Sequence, residues 1–233
     1  MLINARENEK SMNILIVYYH PEPQSFNGAL FDAAYNTLTH AGHVVTTSDL
    51  HAMAFNPVSG RHNFRTVKDS AYFKQQIEEL NATEANGFAL EIEDELQKIE
   101  ACDLMILQFP LWWFGLPAPM KGWIDRVFAM GRTYGGGHFY DTGVFRGRKA
   151  MLSLTTGGPQ EAYLPGGFNG DINGILKPIQ RGMLEFVGFS VLAPHICYGP
   201  AHLTDTERRQ QLERYCNRLR TIEEEKAIVV GQY

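Results

Sequence analysis

The sequence predicts a doubly wound α/β domain, a five-stranded parallel sheet with helices on both faces. Three observations predict it. Five apolar, β-branched runs alternate with segments whose apolar residues recur at helical spacing. The first unit reads strand, loop, helix, strand, the order of a right-handed parallel crossover. The loops after the first, third and fourth strands are rich in turn formers or aromatics, at the sheet end where doubly wound folds hold their ligands.

Each element follows in order. "NILIVYYH" (13–20) is a continuous apolar run, as in a strand buried on both faces. "PEPQSFN" turns the chain into "GALFDAAYNTLTHAG", a helix that Gly42 can cap. "HVVTTSDL" (43–50) is the second strand. Residues 51–83 read as irregular or partly helical, with "FNPVSGRHNF" the clearest loop. "ALEIEDELQKIEAC" (89–102) is an amphipathic helix and "DLMILQF" (103–109) the third strand. "PAPMKGWIDRVFAM" is helical, with prolines in the first turn where a missing N–H costs nothing. A Gly-rich loop (131–147) precedes the strand "KAMLSLTT" (149–156) and the long loop "GGPQEAYLPGGFNGDIN". "GILKPIQRGMLEFVG" is a helix in which Pro178 bends the axis or delays the start. "FSVLAPHICYG" (189–199) is the last strand, and "TDTERRQQLERYCNRLRTIEEE" (204–225) a capped, charged helix. No repeat and no linker divides the chain, so residues 13–233 form one domain after a loose extension over residues 1–12.

Composition narrows the function. The chain has 233 residues, 44% apolar and 20% charged, with a net charge of −5. That profile suits a soluble globular protein and argues against a nucleic-acid partner. Cys102, Cys197 and Cys216 are far apart and form no CxxC, as expected of free thiols in a reducing compartment. The first dozen residues lack the apolar stretch of a signal peptide, and no run is long enough to span a bilayer. A cytoplasmic protein without stable membrane insertion is expected. No HxxxH, HExxH, GxSxG, GxGxxG or GxxxxGK[ST] occurs. No metal site is expected, and His195 reads as a strand-end residue.

The three loops carry the chemistry. "HPEPQSFN" leads into a helix N-terminus, a ready anion site, with His20, Ser25 and Asn27 adding side-chain donors. Ser or Asn capping would explain the same residues. "PLWWFG" holds Trp112 and Trp113 between Pro110 and Pro117. Its set backbone and flat aromatic faces suit a planar heterocycle, although core filling is the simpler use of aromatics. "TTGG" (155–158) ends a strand with two hydroxyls and two residues that allow close backbone approach. Tyr163 follows as a hydrogen-bond donor.

Taken together, "YYHPEPQSFN", "SDLHAMAFNP", "LQFPLWWFGLPAPMKGWIDRVF", "FYDTGVFRGRKAMLSLTTGG" and "NGDINGILKPIQRGMLEFVGF" resemble the flavodoxin-like NAD(P)H:quinone oxidoreductases of the DT-diaphorase type, in order from about residue 13 to 220. The resemblance implies a flavodoxin-like homodimer holding FAD, ahead of FMN, at sites on the subunit interface. It implies ping-pong hydride transfer from NADH or NADPH to flavin N5 and on to a quinone. His20, Ser25, Phe26 and Asn27 would hold the diphosphate and ribityl chain. Pro110, Leu111, Trp112, Trp113 and Phe114 would line the isoalloxazine, with Thr155, Thr156, Gly157 and Gly158 on its pyrimidine side. Arg208 would reach the adenine end. Tyr163, Asn169 and Gly157 would form the catalytic set, with Tyr163 near flavin N1 and O2 where negative charge develops. Trp113 and Phe114, rather than Trp112, would shape the substrate pocket, and Tyr134 and Phe186 would be lent by the partner subunit. Trp123 is expected to be ordinary packing.

Two departures from that pattern matter. Asn169 stands where many members carry a His, and a relative that prefers dihydronicotinamide riboside resembles this chain there, so the preferred donor is open. Arg181 and Glu185 replace that relative's metal ligands, and Gly136 stands where a second Tyr is common. An azo or nitroaromatic acceptor, a one-electron carrier, and a regulatory flavoprotein docking on a membrane transporter are the competing readings.

Overall fold

β1 (Asn13–Tyr18) is flanked by β2 (Val44–Asp49) on one side and β3 (Leu104–Pro110) on the other, all parallel. β4 (Lys149–Thr156) continues the sheet beyond β3. The order of these four strands is β2-β1-β3-β4, so the direction of winding reverses between β1 and β3. The computed structural model describes residues 11–232. Residues 1–10 of the expected extension lie outside them. Its last two residues are tied down: Ser11 Oγ donates to Gly42 O at 2.9 Å, and Val44 N donates to Met12 O at 2.9 Å.

β1 and β3 are mainly apolar because both sheet faces are covered. α1 (Phe26–His40) and α6 (Asp205–Leu219) cover one face over Ile14, Ile16, Leu30, Leu104 and Tyr215. α3 (Leu90–Ala101), α4 (Ala118–Val127) and α5 (Ile172–Ile179) cover the other over Leu15, Val17, Met105, Leu107 and Trp123. Trp123 is fully buried and donates from Nε1 to Glu95 Oε2 at 2.7 Å, so it packs as expected.

Three elements differ from the sequence pattern. The predicted last strand is two short ones, β5 (Ser190–Val191) and β6 (His195–Tyr198), both paired with β4. Pro194 lies between them and has no N–H to give to a ladder. Within the stretch 51–83, α2 (Gln75–Ala85) is a regular helix. Pro178 sits inside α5, and beyond it the helix widens to π geometry over Gln180–Glu185.

Candidate functional site

The loops that follow β1, β3 and β4 meet at one end of the sheet around a cavity of about 460 Å³, a size typical of small-molecule sites. Its lining brings together eleven of the expected residues: His20, Ser25, Phe26, Asn27, Pro110, Leu111, Trp112, Thr155, Thr156, Gly157 and Arg208. Pro200 and Ala201 complete it. They were missed in the sequence, although Gly-Pro after the last strand is a turn signal there.

The first wall is the N-terminus of α1. Ser25 is the N-cap, and its Oγ accepts from Gly28 N at 3.1 Å. A Cβ on Gly28 would lie 2.1 Å from Pro23 O, so only glycine lets this loop fold back on the helix. Glu22 N–H donates to His20 Nδ1 at 3.0 Å; the tautomer accepting there carries its proton on Nε2. Anions are favoured at such a helix end by its free N–H groups and dipole.

The second wall is polar and buried. Gln108 Nε2 donates to Asn27 Oδ1 at 2.8 Å, and Asn27 Nδ2 donates to Thr155 Oγ1 at 2.7 Å. These bonds tie β3, α1 and β4 together beneath the cavity floor. Gly157 presents open backbone: a Cβ built there meets nothing within 4 Å. A Cβ on Gly158 would touch Tyr163 Cε2 at 3.5 Å and Asn169 Nδ2 at 3.6 Å, so the expected Tyr163 and Asn169 flank this loop together. Asn169 N donates to Ala162 O at 2.7 Å, which fixes that arrangement.

The third wall is aromatic. Trp112 N donates to Gly115 O at 3.2 Å and Gly115 N to Trp112 O at 3.0 Å, closing a two-residue turn. Its central residues, Trp113 and Phe114, have φ of 50° and 59°, the sign found in type I′ turns, where Asn and Gly are usual. This turn decides which ring faces the cavity. Trp112 lines it and meets Tyr19 and His20 edge-on, each at 6.1 Å between ring centroids. Trp113 is 97% exposed and Phe114 52%, and neither is among the lining residues. The tight turn throws both outward in the single chain, so the expectation that Trp113 and Phe114 rather than Trp112 shape the pocket belongs to the subunit interface, which the single chain does not contain.

Arg208 reaches the cavity from α6. A capping box places it: Glu207 Oε2 accepts from Thr204 N at 2.7 Å, and Thr204 Oγ1 accepts from Glu207 N at 3.3 Å. Arg208 also bonds Asp205 and the Leu203 carbonyl, so its guanidinium is held in place. Tyr134 and Phe186 do not join the lining. They pack on each other at 5.8 Å between ring centroids, beside Phe139 and Tyr140. Arg181 and Glu185 form an ion pair at 2.9 Å. Among the described residues no group of three or more His, Cys, Asp or Glu is arranged to hold a metal ion. Among them, too, no helix is long and apolar enough to cross a membrane.

Residues 12–220 match the family model described as the flavodoxin-like fold. Human ribosyldihydronicotinamide dehydrogenase [quinone] is 42% identical over 216 residues, covering 92% of this chain and 94% of the relative. Rat NAD(P)H dehydrogenase [quinone] 1 is 44% identical over 212 residues, covering 91% of this chain and 77% of the relative. A crystal structure from Klebsiella pneumoniae, of a protein described as a candidate quinone reductase, superposes with a TM-score of 0.90 at 39% identity, covering 94% of this chain and 87% of that one. The chain belongs to the flavodoxin-like fold family and, within it, to the NAD(P)H:quinone oxidoreductases. It is an oxidoreductase.

Proposed function

We propose that the chain is an FAD-dependent two-electron reductase of quinones that acts as a homodimer, with NADH, NADPH or a smaller dihydronicotinamide as donor. The convergence of the residues expected from three separate loops, and of Arg208, on one cavity carries this reading. The residues fit a flavin nucleotide on physical grounds. The α1 N-terminus suits its diphosphate, the bare backbone of Gly157 allows a flat ring to approach closely, and Arg208 adds a cation to the lining.

A bound flavin would supply two-electron redox chemistry between a dihydronicotinamide donor and a quinone. The chain does the rest. His20, Ser25, Phe26 and Asn27 hold the diphosphate and ribityl part, and Arg208 the adenine end. Backbone groups of Pro110–Trp112 and Thr155–Gly158 orient the ring system. Tyr163 would donate a hydrogen bond to the ring system and so stabilise negative charge as it develops. Asn169, beside Tyr163, is a group that can hydrogen-bond but takes up no proton near neutral pH. This favours donors that need no titrating partner at that position, and the name of the human relative points the same way.

Exposed Trp113, Phe114 and Phe168, each a large apolar ring, support a dimer that covers them. In it, Tyr134 and Phe186 of one subunit would border the acceptor pocket of the other. The test is direct: purify the protein, release the bound cofactor by heat and identify it by chromatography, then mix anaerobically with each donor. FAD, and reduction followed by reoxidation with a quinone, are expected. A chain that binds neither FAD nor FMN would overturn the reading.

A further inference from the structure

The loop that carries Tyr134 is fastened from beneath by one buried carboxylate. Glu79 lies on α2 and is 2% exposed. Its Oε2 accepts from Met130 N at 2.7 Å and faces the Tyr134 hydroxyl at 3.5 Å. Its Oε1 accepts from Gln75 Nε2 at 2.9 Å. One turn to either side, Gln76 Nε2 donates to the Tyr134 hydroxyl at 3.2 Å, and Thr83 Oγ1 reaches Met130 O at 3.4 Å. The same face of α2 therefore holds both ends of the segment Met130–Tyr134, which Gly131 N closes on Tyr134 O at 2.8 Å.

No cation stands among Glu79's partners. The groups that face it are the Gln75 amide from α2, the Met130 N–H and the Tyr134 hydroxyl from the loop; Tyr134 is the only titratable one. A carboxylate buried without a counter-ion disfavours folding unless hydrogen bonds satisfy it. The fold keeps such a group here, and its bonds go to the loop. Burial holds its pKa above the usual carboxylate range, opposed by the bonds from Met130, Gln75 and Tyr134.

We propose that Glu79 is a positioning residue for the acceptor pocket: it fixes the Met130–Tyr134 loop so that Tyr134, packed on Phe186, is presented as a rigid aromatic wall. The inference rests on the reading that Tyr134 borders the acceptor. Glu79 touches neither flavin nor acceptor and acts through Met130 and Tyr134. Because the Tyr134 hydroxyl is engaged by α2, the wall offers a ring face rather than a hydrogen bond. The pocket then selects flat aromatic acceptors and asks little of their polar groups.

The experiment compares the flavin-loaded wild type with Glu79→Gln, which keeps the shape and removes the charge. The expected result is a KM for the quinone raised about tenfold, the scale of one charge-assisted hydrogen bond. The rate of flavin reduction by the donor and the flavin content are unchanged. The wild-type KM rises once the pH is low enough to protonate Glu79, and this dependence vanishes in the variant. Hydrogen exchange over residues 129–137, corrected for intrinsic rate, is measured on the same proteins with and without flavin. It should speed up in the variant, and in the wild type on acidification alone. Faster loop exchange in a protein that binds no flavin would sink the flavoenzyme reading and leave the loop clamp standing. An unchanged KM, pH profile and loop exchange in Glu79→Gln would overturn the clamp and leave the flavoenzyme reading intact.

Discussion

Asn27 Nδ2 donates to Thr155 Oγ1 at 2.7 Å across 128 positions of sequence, joining the first helix to the end of the fourth strand under the cavity floor. Both residues are buried, so losing either partner strands a polar group. Thr155→Val keeps the shape and removes the acceptor. It should lower the unfolding free energy of the flavin-free protein by about 1–3 kcal/mol. It should also weaken flavin binding, since Asn27 would no longer be held. Urea unfolding and a flavin titration measure the two effects, and wild-type values in both would show that the bond does not organise the site.

The turn at Trp113 and Phe114 makes an opposite prediction. Both residues hold positive φ without the glycine or asparagine that such turns favour. Trp113 has almost no packing to offset the strain in the single chain, since it is 97% exposed. Trp113→Gly should therefore stabilise the monomeric fold by about 1 kcal/mol, while slowing turnover of an aromatic acceptor. Thermal unfolding under dissociating conditions, with steady-state rates, tests this. A clear loss of stability would mean that the Trp113 ring packs on something within its own chain.

The contrast between Trp112 and Trp113 also marks what the sequence could reveal. The sheet was legible because β1, β3 and β4 are buried on both faces and read as mainly apolar runs. The three loops were legible because the doubly wound topology puts their strand ends together. Which tryptophan faces inward was not, since a two-residue turn with positive φ overrides the alternation expected of a strand. α2 escaped for a different reason: of its residues, Glu78, Glu79 and Ala82 are the buried ones, so it has no apolar stripe to detect. Glu78 accepts from Lys68 N at 2.7 Å and Asp69 N at 3.0 Å, a loop-holding use of carboxylates that hydrophobic patterning cannot register.

Tyr163 and Asn169, on either side of Gly158, give a paired prediction. Tyr163→Phe keeps the ring against Tyr198, at 5.8 Å between centroids, and removes only the hydroxyl. Flavin content should be retained and flavin reduction slowed by about 100-fold, the lower end of the range for loss of a donor to a developing anion. Asn169→His should raise the rate with NADPH relative to dihydronicotinamide riboside. Stopped-flow reduction with both donors decides it; an unchanged ratio would remove position 169 from donor choice.

His195 stacks on Tyr215 at 4.1 Å with 21° between the rings, on the sheet face that α6 covers. The His195 Nε2 is buried and has no hydrogen-bond partner among the described residues. Burial pushes the imidazole down to about 4, and the positive charges of Arg218 and Arg214 push the same way. The folded pKa is thus below the ordinary value of 6.5. Between those two values the unfolded chain binds a proton that the native chain refuses, so stability is full above the upper one and lost as pH falls toward the lower. The whole effect is about 3 kcal/mol. His195→Phe keeps a flat ring against Tyr215 and cannot titrate. Its urea midpoint should fall less than that of the wild type between about pH 7 and about pH 5. Equal slopes in the two proteins would mean that His195 charges without cost, and that the pocket beneath α6 admits water.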